Sequence, residues 1–250
     1  MKKLIVAIPA RNEEKNIRPS LLLLSSYLKA NMSDYDWKIV ISDNGSTDQT
    51  KAFVMRAMAT DPHIHYLFTK EAGKGNAIRV AWKQYDADIF CFMDADLSTD
   101  IRDLRTLIHE VAGGTDIACG SRHLAQSKTH RSRMRKLISR INNLLIRVLL
   151  GSKLKDTPCG FKAVNAKVVK TLLDDVKNNT WFFDTELLIR AERAGYSIKE
   201  IPVHWSDVRD KVRKSNVDIV HVCIEYLGNI FQLRRNLQKH VSSFHDTTRG

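Results

Sequence analysis

Three of four short apolar runs in this chain end in a cluster of polar residues, and that pattern constrains the fold more than any other feature. The runs are Leu4 to Ile8, Lys38 to Ser42, His65 to Phe68 and Ile89 to Met93. Helical signals fill the intervals, over Ser20 to Leu28, Thr50 to Ala59 and Gly75 to Tyr85. Strands alternating with helices predict an α/β fold, a mostly parallel central sheet with helices on both faces. Ligands of such sheets bind beyond the carboxyl ends of the strands. The polar clusters fall there: Arg11–Glu14 after the first run, Asp43–Asp48 after the second, Asp94–Asp100 after the fourth.

At 250 residues and 43% hydrophobic content, the chain can build one sizeable core with an appendage. Its formal charge of +12 calls for an anionic partner. Cys91, Cys119, Cys159 and Cys223 form no CxxC pair and have no histidine cluster beside them. That argues against a disulfide framework or a zinc site and for a reducing cytosol. Arg11, Glu13 and Glu14 follow Met1 to Pro9 too soon for a signal peptide. No apolar run approaches the roughly 18 residues that span a bilayer. The longest, Leu144 to Leu150, is broken by Arg147. Any membrane contact is therefore expected to be peripheral, at the cytoplasmic face.

The second half reads differently. Arg122 to Lys155 contains no acidic residue, but it carries Arg122, Lys128, Arg131, Arg133, Arg135, Lys136, Arg140, Arg147, Lys153 and Lys155. Within it, Met134, Leu137, Ile138, Ile141, Leu144, Leu145, Val148 and Leu149 recur at helical spacing, predicting a basic amphipathic helix over Arg133–Leu150. Such a helix is either a core helix with a solvated face or an interfacial helix on an anionic leaflet. In the second case each Lys or Arg adds about 1 kcal/mol of attraction. The acid-free stretch favours the membrane. With no basic platform interleaved with aromatics, nucleic acid is not expected as a partner. A loop at Asp156–Lys162, a helix around Lys167–Asp174, the segment Trp181–Gly195, a strand near Ile198–Trp205 and a final helix over Asn216 to Gln238 follow. The expected organisation is one domain over 1–215, donor-binding in 1–122 and acceptor- and membrane-facing in 123–215. A C-terminal basic amphipathic helix occupies 216–250.

Asp94 and Asp96 form an Asp-x-Asp pair directly after an apolar strand. Two such carboxylates can reach one hard cation, Mg²⁺ or Mn²⁺, which prefers oxygen ligands and substrate phosphates. Alone, the pair could equally be a solvated acidic turn. Asp43-Asn44-Gly45-Ser46-Thr47-Asp48 is either an Asn-Gly turn with a helix cap or a pocket for a nucleotide base. Gly73-Lys74-Gly75 is either a simple turn or a backbone nest with a lysine near phosphate. It lacks the P-loop pattern, and no GxGxxG follows the first strand, which argues against a dinucleotide domain.

In combination, IPARNEE (Ile8–Glu14), DNGSTD (Asp43–Asp48), GKGNA (Gly73–Ala77), DADLSTD (Asp94–Asp100) and GSR (Gly120–Arg122) resemble glycosyltransferase family 2 in order and spacing. DTPCGFK (Asp156–Lys162), FFDTELL (Phe182–Leu188) and IPVHW (Ile201–Trp205) narrow the resemblance to its polyprenyl-phosphate branch, near the dolichyl-phosphate glucosyltransferases and dolichol-phosphate mannosyltransferases. The resemblance implies a GT-A fold. It implies that Pro9, Arg11 and Glu13 flank the nucleotide, with Asp43 and Asn44 at the base; the nest reading of Gly73-Lys74-Gly75 adds Lys74 as a donor-binding candidate. It implies that Asp94, Ala95 and Asp96 meet the donor, that Asp94 and Asp96 hold the metal, and that Arg122 binds phosphate at the reaction centre. Arg131, Lys162 and Arg209 join Arg122 as candidates for the acceptor phosphate. Two positions depart from the family: Asn44 replaces the second Asp of DDGSTD, and Arg11 stands where an aromatic residue is common.

The implied activity is inverting transfer of a hexose, with UDP-glucose favoured over GDP-mannose, to a polyprenyl phosphate. Asp96, Arg122 and Asp184 are the catalytic candidates. Asp184 and Glu186 sit where relatives that use hydroxyl acceptors keep a base, yet an anionic phosphate acceptor requires none. Asp184 then holds sugar hydroxyls or positions Arg122 or Lys162. Trp181 and Phe182 are either a core aromatic pair or a sugar-stacking pair. The alternatives are a hydroxyl acceptor on a glycan or glycolipid, with Asp184 as base, and a non-catalytic basic binding module. The sequence leaves the oligomeric state open.

Overall fold

The computed structural model describes residues 1–206 and 219–246, with side chains described for 1–206 and 225–238. The chain divides into two units. The first comprises Met1–His130 and Asp156–Val208, and the second Arg131–Lys155 and Arg209–Gly250.

The first unit is built on a sheet of β1 (Lys2–Ala10), β2 (Tyr35–Asp43), β3 (Ile64–Phe68), β4 (Ile89–Met93), β5 (Ile117–Ser121), β7 (Phe161–Asn165) and β8 (Ile198–Pro202), in the order β3-β2-β1-β4-β7-β5-β8. All neighbours run parallel except β7, which is antiparallel to both β4 and β5. Short β6 (Lys128–His130) and β9 (His204–Ser206) form a separate parallel pair.

Side chains alternate across the central strands, so each face builds its own core. Leu4, Val6 and Ile8 of β1 join Ile39, Ile41, Cys91 and Phe161 in one buried cluster. Leu21, Leu24 and Leu28 of α1 (Ile17–Asn31) and Leu104, Leu107 and Ile108 of α4 (Leu104–Ala112) cover it. On the opposite register Ile5, Ala7, Phe90 and Phe92 are also buried. Trp82 of α3 (Lys74–Gln84) lies 5.9 Å from Phe92 and 6.4 Å from Phe183 of α7 (Phe183–Arg193), ring centre to ring centre. Burial on both faces is why these strands read as unbroken apolar runs. The remaining helices of the first unit are α2 (Thr50–Met58) and α6 (Ala166–Thr171), with a 3₁₀ turn at Ile101–Asp103.

In the second unit α5 (Arg133–Leu150) matches the expected basic helix. Ser132 Oγ accepts from Arg135 N at its start, and Gly151, at φ 66°, ends it in the left-handed conformation. It packs on α8 (Ile219–Asp246). The expected final helix began at Asn216, which lies outside the described residues.

Three expectations change. Asp156–Lys162 is not wholly a loop, because Phe161 and Lys162 open β7. The strand expected over Ile198–Trp205 divides between β8 and β9, which belong to different sheets. The helix expected over Lys167–Asp174 is the shorter α6. The structure adds α4 and β5. The α4 pattern, Leu104, Leu107, Ile108 and Val111, is a plain i, i+3, i+4, i+7 stripe.

Gly75 marks where α3 is pressed onto α7. A Cβ there would lie 2.5 Å from Phe183 Cβ and 2.8 Å from the Asn178 carbonyl oxygen. Helix propensity favours Ala over Gly by up to ~1 kcal/mol, but the overlap with backbone is costlier. Gly75→Ala is expected to destabilise the protein by about 1–3 kcal/mol. Thermal unfolding should show this as a Tm lower by several degrees; an unchanged or higher Tm would refute the packing argument.

Candidate active site

The polar clusters converge for topological reasons. The parallel strands β1, β2, β4 and β5 all end on one edge of the sheet. Ala10 is paired with Asp43 at the ends of β1 and β2. Strand β7 runs the other way, with its first residue, Phe161, opposite Met93 at the end of β4. The residues just before β7, Asp156–Gly160, are thereby delivered to the edge where Asp94 and Arg122 emerge.

The loop after β1 is stitched to the loop after β2. Asn12, at φ 55°, accepts from Thr47 N at 2.8 Å, and its own N–H donates to Ser46 Oγ at 3.0 Å. Glu13 N donates to Thr50 Oγ1 at 2.8 Å and Glu14 N to Asp48 Oδ2 at 3.1 Å. Pro9 is half-buried at the end of β1, and Arg11 is exposed. Asp43 is buried and accepts from Ser46 N and Tyr66 Oη, each at 2.8 Å. Burial and this contact with Asp43 raise the Tyr66 pKa, so the phenol stays a donor. Asn44 is buried and its Oδ1 accepts from Gly73 N at 2.9 Å. This bond ties the DNGSTD turn to the GKG turn.

At the centre lies a buried charge network. Lys74 Nζ contacts Asp94 Oδ1 at 2.8 Å and Asp184 Oδ2 at 3.1 Å. Lys162 Nζ contacts Asp184 Oδ1 at 2.9 Å and donates to the carbonyls of Thr157 and Cys159. Burial alone would push the Lys74 pKa down, but the charges of Asp184 and Asp94 outweigh it and raise the pKa above the ordinary value. Lys162 was expected at the acceptor phosphate. It is instead fully buried with its three protons committed, so it holds Asp184 and the 157–159 backbone. Both oxygens of Asp184 are paired with lysines, and Glu186 accepts from Asn178 N and Arg190 Nε, each at 2.7 Å.

Asp94 and Asp96 leave β4 through a tight turn. Leu97 N donates to Asp94 O at 3.1 Å and Ser98 N to Asp96 Oδ1 at 3.0 Å. Leu97 adopts φ 48°, a left-handed conformation costing about 1–2 kcal/mol outside glycine. Ala95 between the two acids is buried. Gly160 leaves room for the acid beside it: a Cβ there would lie 2.3 Å from Asp94 Oδ2. Among the described residues no group of three or more His, Cys, Asp or Glu could hold a metal ion. Two carboxylates alone still suit Mg²⁺ or Mn²⁺, which take the rest of their shell from water and phosphate oxygens.

Arg122 follows β5. Its Nε and Nη2 grip Asp156 at 2.7 and 2.8 Å, and Asp156 Oδ2 also accepts from Arg122 N at 2.7 Å. Burial would raise the Asp156 pKa, but the guanidinium beside it holds it down at about 2. The pair's contribution to stability is therefore complete above the ordinary carboxylate pKa and lost as pH falls toward 2. The Trp205 ring lies 5.7 Å from the guanidinium carbon. Arg131 belongs to the second unit, where its Nη2 donates to Arg135 O at 3.1 Å. Arg209 lies outside the described residues. Trp181 is exposed and Phe182 is buried, so they are not a pair. Asp156 and Gly160 stood inside a recognised motif without an assigned role, whereas nothing in the sequence pointed to Tyr66.

The family model for glycosyl transferase family 2 matches residues 5–173. Glycosyltransferase AglD of Haloferax volcanii is 37% identical over 221 residues, covering 86% of this chain and 34% of its own length. The dolichyl-phosphate beta-glucosyltransferase ALG5D of Trichomonas vaginalis is 30% identical, covering 91% of this chain and 75% of its own. The Saccharomyces cerevisiae dolichyl-phosphate beta-glucosyltransferase is 29% identical, with coverages of 92% and 76%. This chain thus spans about a third of the Haloferax protein and three quarters of the other two. Among solved structures, glucosyl-3-phosphoglycerate synthase of Mycobacterium tuberculosis in complex with UDP superposes with a TM-score of 0.70 at 19% identity, over 93% of this chain and 80% of that one. The same enzyme with Mn²⁺ and UDP-glucose gives 0.67 at 18% identity, over 93% and 79%. The architecture is the expected GT-A fold, and the chain belongs to glycosyl transferase family 2.

Proposed function

We propose that this chain transfers glucose from UDP-glucose to a polyprenyl phosphate, with inversion at the anomeric carbon. One observation carries the choice of acceptor. The two acids that could deprotonate an alcohol are both engaged, Asp184 by Lys74 and Lys162, Glu186 by Arg190 and a backbone N–H. A phosphate monoester needs no base, because it is already anionic near neutral pH, with a second pKa of about 6. It needs cations. Arg122 has Nε and Nη2 committed to Asp156, which fixes the plane of the guanidinium and leaves Nη1 for a ligand. The names of the dolichyl-phosphate glucosyltransferase relatives support the same acceptor and sugar.

In this reading Asp43 and Asn44 line the base pocket, with Pro9, Arg11 and Glu13 beside the nucleoside. Lys74 stands at the diphosphate. A divalent cation held by Asp94 and Asp96 would neutralise charge on the departing diphosphate. The acceptor phosphate oxygen, aligned by Arg122, attacks the anomeric carbon from the face opposite the leaving group. One C–O bond forms as the other breaks, so an α-linked donor gives a β product. Alignment and leaving-group stabilisation supply the rate, and the lysine-bound Asp184 positions the ammoniums rather than moving a proton.

The direct test is turnover of UDP-glucose with a short polyprenyl phosphate and with the corresponding free polyprenol. Product is expected from the phosphate only, with a β coupling constant at its anomeric proton. Glucose transfer to the alcohol at a comparable rate would move the reading to a hydroxyl acceptor, and an α product would overturn the single displacement. Asp184→Asn is a poor probe of a base, since it strips the counter-charge from two buried lysines.

The cation is tested at Gly160. Gly160→Ala drives a methyl group into Asp94 and is expected to weaken Mn²⁺ binding in the presence of UDP at least tenfold, read by electron paramagnetic resonance. The overall fold should persist by circular dichroism. Unchanged Mn²⁺ affinity would remove Asp94 from the metal site.

We further propose that α5 lies on an anionic membrane at the cytoplasmic face. Met134, Leu137, Ile141, Leu144 and Val148 form an exposed apolar stripe, with Arg133, Arg135, Lys136 and Arg140 on the same helix. Among the described residues no helix is long and apolar enough to cross a membrane. The free, buried thiols of Cys91, Cys119 and Cys159 suit a reducing compartment. Replacing those four cations by Glu is expected to abolish sedimentation with phosphatidylserine vesicles, and wild-type binding should weaken with added salt. Equal sedimentation of both proteins would exclude α5 as the contact.

A further inference from the structure

Trp181 is 61% exposed although the next two residues, Phe182 and Phe183, are buried. An indole left open to water is a large apolar surface, and its position relative to the charge network gives it a use. The Lys74 ammonium that bridges Asp94 and Asp184 lies 5.3 Å from the centre of the Trp181 ring.

The segment leading to Trp181 is fastened down. Arg79, on α3, donates from Nη2 to the carbonyls of Val176 and Asn178 and from Nη1 to Asn179 Oδ1. The Asn179 carbonyl accepts from Asn76 N at 3.1 Å, and Glu186 accepts from Asn178 N at 2.7 Å. The backbones are in contact as well. A Cβ on Gly73, which has φ 137°, would lie 2.0 Å from Asn179 O. Residues 176–180 therefore rest on the start of α3, the same turn that presents Lys74. An aromatic face on an immobilised backbone binds without first losing conformational freedom.

We propose that Trp181 is the platform on which the transferred hexose lies, and that Arg79 is the positioning residue that holds it there. The inference rests on the nucleotide-sugar reading of the site and adds a sugar subsite to it. In a nucleotide sugar the hexose is attached to the diphosphate, so it lies beside the cation that meets the diphosphate. That cation is Lys74, and Trp181 is the exposed aromatic next to it. A pyranose offers a face of C–H bonds that pairs with the electron-rich face of an indole. The acceptor's apolar tail leaves from the phosphate at Arg122, whose own aromatic neighbour is Trp205.

The test is calorimetric titration of UDP and of UDP-glucose, both with Mn²⁺, into the wild type, Trp181→Ala, Trp181→Phe and Arg79→Lys. Trp181→Ala is expected to bind UDP-glucose up to about tenfold more weakly while its UDP affinity stays within about twofold. Trp181→Phe should recover most of the loss. Arg79→Lys cannot span three acceptors and should show part of the same sugar-specific loss, with the Michaelis constant for UDP-glucose raised more than kcat is lowered. Equal weakening of UDP and UDP-glucose in Trp181→Ala, or no weakening of either, overturns the platform. A loss in Arg79→Lys that does not distinguish the two ligands overturns the positioning role. A wild type that binds neither ligand overturns the donor reading itself, and this proposal with it.

Discussion

The site depends on one shared carboxylate. Asp184, buried at the start of α7, is held between Lys74 at the start of α3 and Lys162 at the start of β7. Three segments far apart in the chain are joined at this point, and through Lys74 the network reaches Asp94 at the end of β4. Without Asp184, Lys74 would keep only Asp94 and Lys162 only the Thr157 and Cys159 carbonyls; breaking a buried ion pair costs about 3–5 kcal/mol, a large part of a domain's net stability. The network is thus a condition for the fold as well as a feature of the cleft. It also commits both oxygens of Asp184 to ammoniums.

Around that carboxylate, two of the site's cations are paired with acids. Lys74 and Arg122 are cations whose pKa values are raised by the acids they touch, Asp94 and Asp184 for one and Asp156 for the other. Each has an aromatic ring between 5 and 6 Å away, Trp181 beside Lys74 and Trp205 beside Arg122. Glycines make the close approaches possible. Gly160 gives Asp94 its space, Gly73 and Gly75 let α3 meet the segment before α7, and Gly120 sits against Val203 and Phe161. A methyl group would meet backbone at Gly73 and Gly75, Asp94 at Gly160, and the Val203 and Phe161 side chains at Gly120.

The reversed strand β7 is the device that assembles the site. In an all-parallel sheet the residues before a strand lie at the edge away from the ligand. Reversing β7 between β4 and β5 brings Asp156 to Arg122 and Gly160 to Asp94. It also places Lys162, the second residue of that strand, within reach of Asp184.

Much of this was legible in the residues themselves. The alternation of apolar runs and helical stripes sufficed for the open α/β sheet, because strands covered on both faces must be apolar throughout. The clusters Arg11–Glu14, Asp43–Asp48 and Asp94–Asp100 marked the carboxyl edge of the sheet, because they begin where the apolar runs stop. Periodicity alone placed α5 to the residue. The direction of β7 was not legible, since a five-residue strand carries no signal of polarity and its pairing depends on partners some forty to seventy residues away. For the same reason Lys162 read as a phosphate ligand: its type was visible but its burial was not. The clamp of Arg79 on Asn178 and Asn179 was equally hidden, because an arginine in the middle of an amphipathic helix looks like a solvated one. The sequence by itself determined which residues line the edge of the sheet, through local patterning that needs no partner. Only the tertiary structure decided which of those charges neutralise one another, because that depends on contacts between segments 22 to 110 residues apart.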